Sequence, residues 1–321
     1  MIFILFCFNQ NLVMKKSISI STIFFFLLFF QNCTKKESQI INQPPTPSQP
    51  VIRTGSTIAS LGGEVIFDVN VDKNNNLLLA VKSGFSIFNS IGVKQTYMTG
   101  QCNSCNSIAT DIQGNIYLAD GVNNIIHKYS GSTLTKSTFL TIESPSGIFV
   151  ENTGNVYICS KGTNNKIVKV DNTGKTLLTI GSRSINATDD EIISPDDVFV
   201  DKNGFIYVAD LNKNRVQKWS PDGKTVTTIV GGIKGNGKNQ VNGPTGVYVD
   251  DSLNIYICES SNNRVQKWSP GSTSGVTVAG GNGEGSSQNQ LNYPVDLWVD
   301  SYGYIFIVDR DNRRVQKWTP Y

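Results

Sequence analysis

The sequence predicts an all-β chain folded as a six-bladed β-propeller of four-stranded units, closed by an N-terminal strand that completes the last blade. Three observations predict it. A stretch of two short strands around a polar turn recurs down the chain. Its spacing is 40 to 50 residues. No long helical pattern interrupts it, and a period of this size with four short strands per unit is the signature of a propeller.

The unit is clearest at Asn203–Gly223. Ile206, Tyr207 and Val208 are β-branched or aromatic and favour extended backbone. Asp210 to Asn214 is turn chemistry, because Asn and Asp side chains bond nearby backbone and tolerate unusual φ. Val216, Lys218 and Trp219 restart a strand, and Ser220-Pro221-Asp222-Gly223 ends it. Tyr117, Tyr157, Tyr207, Tyr256 and Phe306 hold one place in successive units, spaced 40, 50, 49 and 50 residues apart, with Leu78 in a degenerate first unit. Each unit opens on an apolar strand ending in an acid or its equivalent: Asp72, Asp111, Glu151, Asp201, Asp250 and Asp300. Trp219, Trp268 and Trp318 recur with the repeat, as core residues do, and are expected to pack between blades. The last unit stops one strand short at Tyr321, and Ile52–Ser60 resembles the missing fourth strand. Pairing it with Arg314–Trp318 covers an otherwise open sheet edge.

At these residues a family becomes recognisable. Pro-Thr-Gly-Val-Tyr-Val-Asp (244–250) with Asn-Asn-Arg-Val-Gln-Lys-Trp (262–268) resembles NHL repeats. The resemblance runs over 52–321, is strongest in the last three units, and implies a six-bladed propeller. Related propellers include calcium-dependent lactonases and a zinc lyase, whose sites use asymmetric carboxylate/Asn or His clusters at the channel mouth.

Residues 1–33 read as a signal peptide. Met14-Lys15-Lys16 is a positive n-region and the expected true start, and Ile18 to Phe30 is an apolar run of 13 residues, too short to span a bilayer. Leu28 to Cys33 resembles the lipobox of bacterial lipoproteins, with Phe30 and Asn32 where that family prefers Leu and a small residue. The resemblance implies lipidation at Cys33. Thr34 to Pro50, rich in Pro, Ser and Gln, reads as a polar tether that cannot bury enough apolar surface to fold. The expected location is the cell envelope, with the protein lipid-anchored at the outer membrane or cell surface, and residues 51–321 as one propeller domain, expected to be monomeric.

A net charge of +3 suggests no nucleic-acid partner. Cys159 and Cys258 fall in non-adjacent blades and read as small buried thiols. Cys102 and Cys105 share one loop and are open to a local disulfide or to free thiols; a metal site there lacks two further soft ligands. His127 is the sole histidine and holds the strand position of Gln217, Gln266 and Gln316, which reads as structural and names no catalytic residue.

The longest loops, 181–194, 231–243 and 280–293, are Gly/Asn-rich and expected to be flexible. They carry Lys234, Lys238, Asp189, Asp190, Glu191 and Glu284 on the face where function is expected to concentrate. The glycines of 231–237 invite a phosphate-loop reading, but no helix follows. On the same face, just before the innermost strands, sit Asp68, Ser107, Gly147, Asp197, Gly246 and Asp296. Asp68, Asp197 and Asp296 are the candidate ligand or cation site, calcium being the cation such carboxylates suit. The other reading is that each Asp bonds backbone of its own loop. Two functions follow: a binding module for a protein, peptide or glycan through the long-loop face, or a calcium-dependent lactonase, hydrolase or lyase at the channel mouth. With one His and three candidate carboxylates, the residues favour binding.

Overall fold

The computed structural model describes residues 53–163, 165–181 and 191–321. The expected signal segment, Cys33, the tether, and Asp189 and Asp190 lie outside the described residues. The described chain is six four-stranded antiparallel sheets, each a meander except for the one that joins the two ends. The innermost strands are Ile66–Val71, Cys105–Thr110, Pro145–Val150, Pro195–Val200, Pro244–Val249 and Pro294–Val299. They define blades one to six in chain order.

The local chemistry explains the regularity. The second strand of every blade is apolar and buried, as in Ile206–Asp210 and Ile255–Glu259. It lies between two sheet neighbours and under the adjacent blades, so no face of it meets water. The turn that follows needs a left-handed residue, and Asn supplies it at Asn124, Asn214 and Asn263 (φ +61°, +50° and +50°). These side chains also join blades. Asn214 Oδ1 accepts the Gly243 N–H at 3.0 Å, and Asn263 Oδ1 accepts the Tyr293 N–H at 2.8 Å.

Blades pack through apolar clusters that straddle each pair. Trp219 packs with Tyr157, Ile167 and Ile180 of blade three, Trp268 with Tyr207, Val216 and Val230 of blade four, and Trp318 with Val265, Val278 and Ala279 of blade five. Gly55–Ser60 pairs antiparallel with Arg314–Trp318, with a bulge between Thr57 and Ala59, and completes the sixth sheet. Cys102 and Cys105 are joined as a disulfide, with Cα atoms 5.7 Å apart. Cys159 and Cys258 are free and buried, and burial pushes both thiols up in pKa.

Candidate functional site at the channel mouth

The repeat acid that ends the second strand is fixed first. Asp210, Glu259 and Asp309 are fully buried, and each is paired with the arginine that starts the next strand: Arg215 at 3.1 Å, Arg264 at 2.8 Å and Arg314 at 2.7 Å. Each arginine then reaches the long loop entering its own blade. Arg215 donates to the Glu191 carbonyl. Arg264 donates to the carbonyls of Asn236, Gly237 and Gln240, and Arg314 to those of Ser287 and Gln290. The loops at 231–243 and 280–293 also close on themselves through the bridges Lys234–Val241 and Glu284–Leu291. The expectation of flexible loops is therefore corrected for these two. Their carbonyls are bonded by the guanidinium of buried Arg264 or partly buried Arg314, and the glycines serve tight turns. In the Gly231–Gly237 stretch the carbonyls of Asn236 and Gly237 face Arg264, which does not suit a phosphate loop.

The six positions expected just before the innermost strands lie inside them, each the third residue of its strand, and meet at the axis. Here the structure differs from the own-loop reading for Asp68 and Asp296, while Asp197 Oδ1 does accept the N–H of its neighbour Val198 at 2.8 Å. Asp68 accepts the N–H of Ile108 at 2.7 Å, Ser107 Oγ that of Ile148 at 3.0 Å, Asp197 that of Val247 at 2.9 Å and Asp296 that of Val69 at 2.9 Å. Each of these acceptors belongs to one blade and its donor to the next, so the ring staples neighbouring blades. The two remaining positions are glycines for a steric reason. A Cβ on Gly147 would lie 2.8 Å from Asp197 Oδ1, and one on Gly246 would lie 2.8 Å from Asp296 Oδ1. The following aspartate occupies that space.

Three carboxyls thus converge in the channel. Burial, and then the neighbouring Asp68, pushes Asp296 well up. Asp197 is pushed up to about 8 by burial and then by Asp68, against the pull of the Val247 and Val198 N–H groups and Lys161. This does not fit a preformed calcium site. One oxygen each of Asp68 and Asp296 and both of Asp197 already accept backbone N–H groups, and among the described residues no group of three His, Cys, Asp or Glu is set to hold a metal.

The raised Asp197 pKa has a sign that can be tested. The native state keeps a proton that the unfolded chain, with an ordinary value of 3.8, has lost. This contribution is full below pH 3.8 and is lost as pH rises through about 8. His127 works oppositely, since burial lowers its pKa from 6.5, so its effect is complete above that pH. Between pH 6.5 and about 9 the Tm of wild type is expected to fall more than that of Asp197→Asn. Parallel Tm–pH curves for the two would remove Asp197 as the titrating group.

The mouth itself is built by a recurrent irregularity. In every blade the pairing of first and second strands shifts register at the start of the innermost strand. Such bulges re-aim side chains and are common beside functional sites. Here the extra positions are Phe67, Asn106, Ser146, Asp196, Thr245 and Val295, and all six line a cavity of about 240 Å³ above the carboxyls. Lys161, Leu211, Tyr293 and Arg310 complete its wall. Lys161 is ion-paired with Asp196, and burial draws its ammonium below the usual lysine value. Arg310 lies 4.0 Å over the Tyr293 ring and pairs with Asp311 at 2.8 Å. Sequence reasoning placed Asp68, Asp197 and Asp296 together. It missed the bulge ring, Lys161, Tyr293 and Arg310, whose signal is that they differ between blades where the scaffold repeats. His127 lies in the third strand of blade two, 3.6 Å from Asp120 and away from this cavity.

A closed six-bladed propeller with an asymmetric cavity at one end of its channel is the class of protein these features define. The family model described as SMP-30/Gluconolactonase/LRE-like region matches residues 56–236. That is more than half of the chain, which therefore belongs to this family. The NHL repeat model matches residues 241–268. No curated protein matches the chain.

Among solved structures the chain is similar to a protein of unknown function from Bacteroides thetaiotaomicron (17% identity, TM-score 0.67, 83% of this chain and 76% of that one). It is similar to an auxiliary nutrient binding protein from the same organism (17%, TM-score 0.64, 81% and 69%). It is also similar to virginiamycin B lyase from Staphylococcus aureus (12%, TM-score 0.57, 80% and 95%). At these identities the likeness is one of fold.

Proposed function

We propose that the chain is an envelope lipoprotein, anchored through Cys33, whose monomeric propeller is a binding module for a protein, peptide or glycan ligand at the long-loop end of the channel. The observation that carries this reading is the mouth cavity. Its floor and clamps follow the repeat, while its lining breaks it, with Asp196–Lys161 and Arg310 on polar sectors and Phe67, Leu211 and Val295 on apolar ones. A few polar groups converging in a largely preformed cavity is how small ligands and chain ends are held. Similarity to structures titled auxiliary nutrient binding protein, from two Bacteroides species, supports a binding role.

The test is a thermal-shift panel of short peptides and oligosaccharides. At least one is expected to raise the Tm of wild type, since a native-state ligand stabilises by mass action, and to leave Lys161→Ala/Arg310→Ala unshifted. A panel with no shift, or a shift kept in the double variant, contradicts the reading. The tether has its own test. Cys33→Ala should move the protein from membranes to the soluble fraction, because acyl chains contribute about 0.8 kcal/mol per buried CH₂. Wild type that is already soluble and free of lipid mass contradicts lipidation.

Family membership favours a second reading, a calcium-dependent hydrolase or lyase with its site at this mouth. It requires calcium to raise the Tm, and Asp68→Asn/Asp197→Asn/Asp296→Asn to abolish that rise. The binding reading expects no calcium shift.

A further inference from the structure

The three carboxyls divide the channel, and its other end holds a second cavity, of about 390 Å³, which the mouth reading does not use. Side chains two apart on a strand share a face, so the residues two beyond the axial ring also point into the channel. In blades three to six these are Phe149, Phe199, Tyr248 and Trp298, and in blade one Asn70; the place in blade two holds Ala109, buried in the core. The four rings form one arc. Successive centroids are 4.8, 4.7 and 5.1 Å apart, and successive planes are inclined by 56°, 53° and 65°. A sixfold pseudo-axis turns equivalent groups by about 60° per blade, so each ring shows the axis the same aspect. Across the cavity the wall is mixed, with Val69, Val71, Ile108 and Ile112 beside Asn70 and Thr110, whose hydroxyl donates to Asn70 Oδ1 at 3.0 Å.

Acids outnumber bases around this bowl, five to one. Its floor is Asp68, Asp197 and Asp296, and Asp72 and Asp111 stand at its rim. The rim lysine, Lys73, donates to the Ile112 carbonyl at 2.9 Å. The fold itself shows what such rings take. One strand outward, Tyr117, Tyr157, Tyr207, Tyr256 and Phe306 each carry a lysine ammonium 4.8–5.4 Å from the ring centroid. Among the described residues, none of the four channel rings carries a cation of the protein's own.

We infer that this bowl is a second binding site, for a small organic cation of the alkylated-ammonium class. Such a cation gains the ring quadrupoles on one side and the charge of Asp68 below, Asp197 and Asp296 being held protonated by burial, and its alkyl groups replace channel water against the rings. A metal ion gains little from rings, and an anion meets the acid floor. The volume lies near the lower end of the roughly 300–1,000 Å³ typical of small-ligand pockets.

The probe is choline, with its uncharged isostere 3,3-dimethyl-1-butanol as control, titrated calorimetrically into the purified full chain. Choline should bind saturably and at least about tenfold more tightly than the isostere. Trp298→Leu removes one ring. Asn70→Lys places an ammonium in the bowl without touching the rings. Each should weaken choline at least about tenfold, and Lys161→Ala, at the other end, should leave it unchanged. No saturable choline binding, equal binding of the isostere, or unchanged affinity in Asn70→Lys overturns the inference. Should Trp298→Leu fail to fold, Asn70→Lys decides alone.

Discussion

A chain beginning at Gly62 is expected to melt on the order of 10 °C or more below one beginning at Pro50, or to aggregate. Deleting the first strand removes more than one ladder. Gly55–Ser60 is the fourth strand of the sixth sheet, and without it Arg314–Trp318 presents unpaired N–H and C=O groups as an open edge. Each net hydrogen bond is worth about 1 kcal/mol. The apolar loss adds to this. Ala59, with Ile58 and Leu61 beside it, packs in one cluster with Ile66, Leu79 and Phe88 of blade one and Val308 and Val315 of blade six. The strand therefore joins the first and last blades. The Gly55 N–H also donates to the Gln288 carbonyl at 2.7 Å, fixing the loop that enters blade six. Equal melting and solubility of the two chains would show that ring closure does not depend on this strand.

Trp268→Ala is expected to cost roughly 3–5 kcal/mol. The indole is 3% exposed and wedged between blades four and five, among Tyr207, Val216, Val230, Val241 and Val247. Removing it strips a side chain that buries about 150–250 Å², at about 25 cal/mol per Å². It also leaves Gln266 Oε1, which accepts the indole N–H at 3.0 Å, buried without that donor. Trp268→Phe should recover much of the apolar part and none of the hydrogen bond. Denaturant melts measure both variants. A Trp268→Ala midpoint equal to wild type would rule out the packing role.

Much of this fold was legible because a propeller writes the same chemistry once per blade. Strand position, turn Asn and interblade Trp all recur with the repeat, so their roles follow from place alone. The acid–Arg pairs of the last three blades were legible as turn stabilisers for the same reason. Their reach into the long loops was not, since the carbonyls that Arg264 meets lie 24 to 28 residues away with no residue type to mark them. For Asp68, Asp197 and Asp296, the common place was legible and the acceptor role was not. Their donors belong to the next blade, 40 to 227 residues distant in sequence. The channel rings went unnoticed because Phe149, Phe199, Tyr248 and Trp298 are ordinary strand residues until the sheet register turns them to the axis. The register shift of the mouth bulges is not written in any one residue, and only the departure of their residues and of Lys161, Tyr293 and Arg310 from the repeat could have shown them.

The central claim is that the repeat builds the scaffold and that function sits where the blades differ. The Tm of Lys161→Ala/Arg310→Ala tests it most directly. Both side chains line the mouth and retain partial exposure, and partly exposed ion pairs are typically worth less than about 1 kcal/mol each. The predicted result is a melting temperature within about 3 °C of wild type, far above that of Trp268→Ala. A fall as large as that of Trp268→Ala would make the mouth residues part of the scaffold and contradict the account.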